Sequence, residues 1–67
     1  MDTFGTRLRQ LRNENNLKQE ELAKILGVTH NAISQWELDR SKPGFYMLVE
    51  LSKYYRVTLD YLMVGKI

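Results

Sequence analysis

Residues 19–38, QEELAKILGVTHNAISQWEL, decide the fold. Leu22, Ala23, Leu26, Val28, Ile33 and Trp36 recur at spacings that put them on one face of two short helices, while His30, Asn31, Ser34 and Gln35 fall on the other. Gly27 separates the two runs; without a Cβ it reaches the positive φ that ends one helix and redirects the chain. Ala23 has to be small for the second of these helices to cross close to the first. Thr29 stands where an N-cap belongs, its hydroxyl able to accept from the backbone N–H of Asn31 or Ala32. No proline interrupts either helix.

Working outward toward the N-terminus, Phe4, Leu8 and Leu11 at i, i+4 and i+7 define the buried stripe of a first helix from about Phe4 to Asn15, with Asp2 or Thr3 as its cap. Arg7, Arg9 and Gln10 fall outside that stripe. Asn15-Asn16 stops the helix, because asparagine tolerates the left-handed conformation, and Leu17 returns to the core. On the other side, Asp39-Arg40-Ser41-Lys42-Pro43-Gly44 is polar, holds the only proline and reads as a loop. Phe45, Leu48, Leu51, Ser52 and Tyr55 form the stripe of a fourth helix ending near Tyr55-Arg56. Thr58 opens a fifth, with Leu59, Leu62 and Met63 as its apolar face and Asp60 in the first turn, where the helix dipole favours an anion. No strand alternation, repeat or linker intervenes. The expectation is an all-α, compact five-helix domain over residues 1–67, with a helix-turn-helix formed by helices 2 and 3.

Sixty-seven residues are near the size at which a lone apolar core only just outweighs chain entropy, and with no cysteine there is neither a disulfide nor a thiolate metal site to help. Met1-Asp2-Thr3 leads into the first helix without a basic and apolar leader, and no apolar run is long enough to cross a membrane, so a soluble, cytoplasmic chain is expected. Enzymatic chemistry is the weakest reading. There is one histidine, no cluster of Asp, Glu and His with metal-ligand spacing, and no carboxylate placed to relay through His30 to a serine. No metal, cofactor or small-molecule substrate is expected. Ten Lys and Arg against eight Asp and Glu leave a net charge of +2, which permits a polyanionic partner. Lys18, Arg40 and Lys42 bracket the two central helices and would sit beside backbone phosphates.

Four segments carry a resemblance: F-G-x-R-L-R-x-L-R at Phe4–Arg12, L-K-Q-E-E-L-A at Leu17–Ala23, G-V-T-x-x-x-I-S-Q-W-E at Gly27–Glu37 and V-T-L-D-Y-L at Val57–Leu62. Together, in that order, they resemble the Cro and phage-repressor type, or XRE, helix-turn-helix family, whose fold is the lambda-repressor-like five-helix DNA-binding domain. The resemblance implies that Gln19 contacts a phosphate and braces the recognition helix. It implies base-reading roles for His30, Asn31 and Gln35, with Ser34 beside them, and a buried structural ion pair between Arg12 and Glu37. Three residues depart from the family pattern. Lys18 stands where Ser or Thr usually caps the second helix, forfeiting about 1 kcal/mol of capping; Asp39 and Arg56 stand where glycine is common.

The side-chain chemistry fits that implication. Asn31 and Gln35 share a helix face at i, i+4, and each amide carries the donor and acceptor needed to bond adenine N6 and N7 in the major groove. His30 at the helix start can bond guanine N7 or a phosphate. The leading expectation is therefore a sequence-specific double-stranded DNA-binding transcriptional regulator, a repressor, acting as a homodimer on a palindromic operator with half-sites about one helical turn apart. The alternative is a protein-interaction or antitoxin-like module on the same fold, using the tyrosines of the fourth and fifth helices. Trp36, at an apolar position of the motif, is expected in the core.

Overall fold

The computed structural model describes residues 2–65; Met1, Lys66 and Ile67, the ends of the expected domain, lie outside the described residues. Five helices follow in order: α1 (Phe4–Glu14), α2 (Gln19–Leu26), α3 (His30–Glu37), α4 (Phe45–Tyr55) and α5 (Leu59–Val64), with no strand among the described residues. Each boundary has a local cause. Thr3 is the cap of α1: its hydroxyl oxygen accepts the Thr6 N–H at 3.2 Å, and the Thr6 hydroxyl oxygen accepts the Thr3 N–H at 2.8 Å. The two asparagines divide the task of stopping α1, Asn15 serving as its C-cap and Asn16 taking a φ of +56°. Gly27, at φ +72°, lets the Val28 N–H reach back to the Ala23 carbonyl at 3.0 Å and closes α2. Of the two donors open to Thr29, Ala32 N–H is the one bonded, at 3.1 Å.

The three departures from the family pattern are accommodated. Lys18 makes no side-chain cap, but its N–H donates to the Glu21 carboxylate at 2.7 Å, so α2 keeps half of a capping box. Asp39 and Arg56 adopt the left-handed conformation that glycine would take there, at φ +59° and +56°.

Every helix contributes one residue with no exposed surface to a common centre: Leu8, Leu22, Ile33, Leu51 and Leu62. Phe4, Leu11, Ala23 and Trp36 complete the buried core. Two expected core positions are corrected. Phe45 and Met63 are 66% and 53% exposed; each lies at the outer end of its helix, where the apolar stripe runs past the neighbouring helices, and Met47 and Leu48 pack on the core instead. Tyr61, off the stripe by periodicity, packs against the core, while Tyr46 and Tyr54 are exposed. The Tyr55 hydroxyl is buried without a hydrogen-bond partner among the described residues, and burial pushes its titration up to about 12.

Arg7 also departs from expectation. It is buried, with Nε and Nη2 donating to the Leu62 carbonyl at 3.2 and 3.1 Å and Nη1 paired with Asp2 at 3.2 Å. A helix leaves its last carbonyls short of helical donors, and here a guanidinium fork bonds the Leu62 carbonyl. In the same first turn of α1, Gly5 lies on the end of α3: a Cβ there would run into the carbonyl oxygens of Trp36 and Glu37 and the Asp39 carboxylate.

Candidate nucleic-acid interface

The exposed side of α3 is held by a chain of four side chains that begins in the interior. Arg12 of α1 grips Glu37 near the end of α3 with two bonds, Nε to Oε2 at 2.6 Å and Nη2 to Oε1 at 3.0 Å, and its Nη1 donates to the Leu17 carbonyl at 2.8 Å. Their side chains are only 12% and 3% exposed, and the bond to Glu37 holds the Arg12 guanidinium above its ordinary pKa. This is the expected ion pair. Gln19, first residue of α2, extends it: Nε2 donates to Glu37 Oε1 at 3.0 Å, while Oε1 lies 2.8 Å from His30 Nε2. Thus α1 and both ends of α3 are joined through the start of α2, which fixes where α3 stands.

The site residues expected from sequence fall into two groups. His30 is exposed but tied to Gln19, which is half-buried; Ser34 lines a cleft with Arg9, Arg12, Gln19, Glu37 and Leu38. Asn31 is exposed and Gln35 half-buried, and neither amide makes a side-chain hydrogen bond among the described residues, so both remain available to an outside partner. Lys18, Arg40 and Lys42 are exposed. They do not share one surface feature: Lys18 lines a depression with Glu20, Glu21 and Lys24, and Lys42 one with Phe4, Pro43, Leu48 and Met63.

Two residues of this region escaped the sequence reading. Arg9 is exposed in the cleft beside Ser34 and Gln19, a cation at the edge of the α3 face; its i, i+3 spacing from Arg12 is the signal that locates it. Asp39 fastens the loop after α3 to the start of α1: Oδ2 accepts the Thr3 hydroxyl at 2.6 Å and Oδ1 the Gly5 N–H at 2.9 Å. The Thr3 hydroxyl first, and then the Gly5 N–H, hold the Asp39 carboxyl below its usual pKa. Its signal is an aspartate at a left-handed turn position, where a short polar side chain is tolerated and can bond nearby N–H groups. No group of Asp, Glu, His or Cys among the described residues is arranged to hold a metal ion, and none of their helices is long and apolar enough to cross a membrane.

Comparison with known proteins places this geometry. Residues 8–62 match the helix-turn-helix family pattern. The HTH-type transcriptional activator BcrR of Enterococcus faecalis is 43% identical over 63 residues, covering 94% of this chain and 31% of that protein. Repressor protein C2 of Salmonella phage P22 is 39% identical over 62 residues, covering 92% of this chain and 29% of that protein. The chain therefore spans about a third of the length of these two relatives. Among solved structures, the P22 c2 repressor in complex with synthetic operator 9T superposes with a TM-score of 0.91 at 36% identity, covering 98% of this chain and 100% of that one.

Proposed function

The chain belongs to the helix-turn-helix family, and on that premise we propose that it is a sequence-specific, double-stranded DNA-binding transcriptional regulator that lays α3 in the major groove. The observation that carries this reading is the state of Asn31 and Gln35: two unpaired amides one turn apart, on a helix whose position is fixed by the Arg12–Glu37–Gln19–His30 chain. Asn31 and Gln35 read base edges, with His30 and Ser34 beside them. Gln19, Lys18, Arg40, Lys42 and Arg9 contact phosphates and supply the salt-dependent part of the affinity. Support comes from P22 c2, solved in complex with a synthetic operator, with a nearly complete overlap of the two chains.

The protein acts as a homodimer on a palindromic operator in the cytoplasm, carries no catalytic activity and needs no cofactor. α4, α5 and the Tyr55–Leu59 turn, opposite in role to α3, supply the self-association face. One relative is named an activator and another a repressor, so a binding domain of this kind serves either sign of control, and the reading taken for this chain is repression by occlusion. The second reading, a protein-interaction or antitoxin-like module, draws on the exposure of Phe45 and Tyr46, 66% and 84%.

Selection of bound sequences from a random duplex library, followed by titration of the winner at several salt concentrations, separates them. A palindromic consensus that disappears in Asn31→Ala/Gln35→Ala supports the regulator. Absence of any consensus, with a protein partner still retained by that double variant, overturns it in favour of the interaction module.

A further inference from the structure

The bond between Gln19 and His30 has a direction that Glu37 dictates. A carboxylate paired with a guanidinium can only accept, so the atom of Gln19 that faces Glu37 Oε1 at 3.0 Å must be the amide nitrogen. The Gln19 oxygen then has to face His30, and an amide oxygen can only accept as well. The ring nitrogen 2.8 Å from it, His30 Nε2, must therefore carry the proton. In the neutral imidazole this leaves Nδ1 as a bare acceptor, and no group among the described residues bonds to it.

We propose that the Arg12–Glu37 pair, acting through Gln19, locks neutral His30 in its Nε2–H tautomer, and that His30 thereby reads an amino group on a base edge through Nδ1. This rests on the DNA-binding reading above. In the major groove the amino donors are adenine N6 and cytosine N4, whereas guanine presents only acceptors at N7 and O6, as does a phosphate. The lock consequently excludes the partners that a histidine at a helix start first suggests. Neutral His30 rejects guanine N7 and phosphate oxygen because an acceptor would meet an acceptor, and it selects the strand that offers the amino group. Gln19 and Glu37 act as positioning residues here: neither needs to touch the base for the tautomer to be set.

The test has two arms. In the free protein at alkaline pH, long-range proton–nitrogen spectra of the imidazole should show a protonated Nε2 and an unprotonated Nδ1. Gln19→Leu should move the two nitrogen shifts toward each other as the Nδ1–H form returns, with the amide spectrum showing the fold intact. A wild-type spectrum dominated by Nδ1–H, or one unchanged by Gln19→Leu, overturns the lock. In the second arm, duplex-library selection at the same pH should give one position of each half-site at which a base pair is preferred about fivefold, with that preference lost in His30→Ala and the rest of the consensus kept. Replacing the adenine or cytosine of that pair by an analogue without its amino group should abolish the preference, and 7-deaza substitution of the purine should not. A preference that survives removal of the amino group, or that is lost on 7-deaza substitution of the purine, overturns the base-edge assignment. A failure to obtain any consensus overturns the DNA-binding reading and the base-edge assignment with it, while the lock is judged by the spectra alone.

Discussion

Asp39 accepts the backbone N–H of Gly5 at 2.9 Å across 34 positions of sequence, so a residue of the loop after α3 satisfies the open end of α1. The Thr3 hydroxyl completes the clasp at 2.6 Å. Because these bonds favour the ionised carboxyl, its folded pKa lies below the ordinary value of 3.8. The stabilisation is complete above that unfolded value and is lost as pH falls through the lowered folded one. Thermal midpoints measured from neutral pH downward should drop for the wild type below about pH 4. Asp39→Asn should show a lower midpoint at neutral pH and a flatter acid limb; an acid limb identical to the wild type would contradict the clasp.

Removing one partner of the Arg12–Glu37 pair leaves a buried charge without compensation. Arg12→Met or Glu37→Met should each cost about 3–5 kcal/mol in chemical denaturation. The double variant should cost clearly less than the sum of the two, since no orphan charge remains. Additive losses would mean the pair is not coupled in the folded protein.

Two glycines should respond oppositely to an added methyl. At Gly5 the new Cβ meets the Trp36 and Glu37 carbonyls, and neither helix can retreat without opening the core. Gly5→Ala should therefore cost about 3 kcal/mol. At Gly27 nothing lies within 4 Å of the Cβ position, and only the left-handed φ of +72° is penalised. Gly27→Ala should cost about 1 kcal/mol, and the reverse ranking would refute the close contact of α1 with α3.

Arg9→Ala and Arg40→Ala should weaken binding to operator and unrelated duplex alike. Each should reduce the slope of log affinity against log salt by about 1. A loss confined to one sequence would assign either arginine to base reading instead.

The helices were legible because apolar spacing of 3.6 residues needs nothing beyond the local chain, and Thr3, Thr29 and Thr58 cap helices where a short hydroxyl side chain is expected to. Periodicity does not say where a stripe outruns its neighbours, which is why Phe45 and Met63 read as core and stand in solvent. Arg7 was misread for a different reason. Its charge marks it as surface, and the acceptor that buries it, the Leu62 carbonyl, is 55 residues away. In the candidate site, Asn31 and Gln35 share a face by spacing alone. That Gln19 braces the recognition helix came with the family resemblance, but His30 and Glu37 as the groups it bonds were out of reach, because they depend on how α2 and α3 cross.

The five fully enclosed side chains, one from each helix, leave the molecule no smaller folded form to fall back on. Peeling away any helix removes one wall around the other four, so opening is shared by all. Amide hydrogens at Leu8, Leu22, Ile33, Leu51 and Leu62 should then exchange with solvent at a single free energy, that of global unfolding, and local opening between helices should be confined to the loop at 40–44.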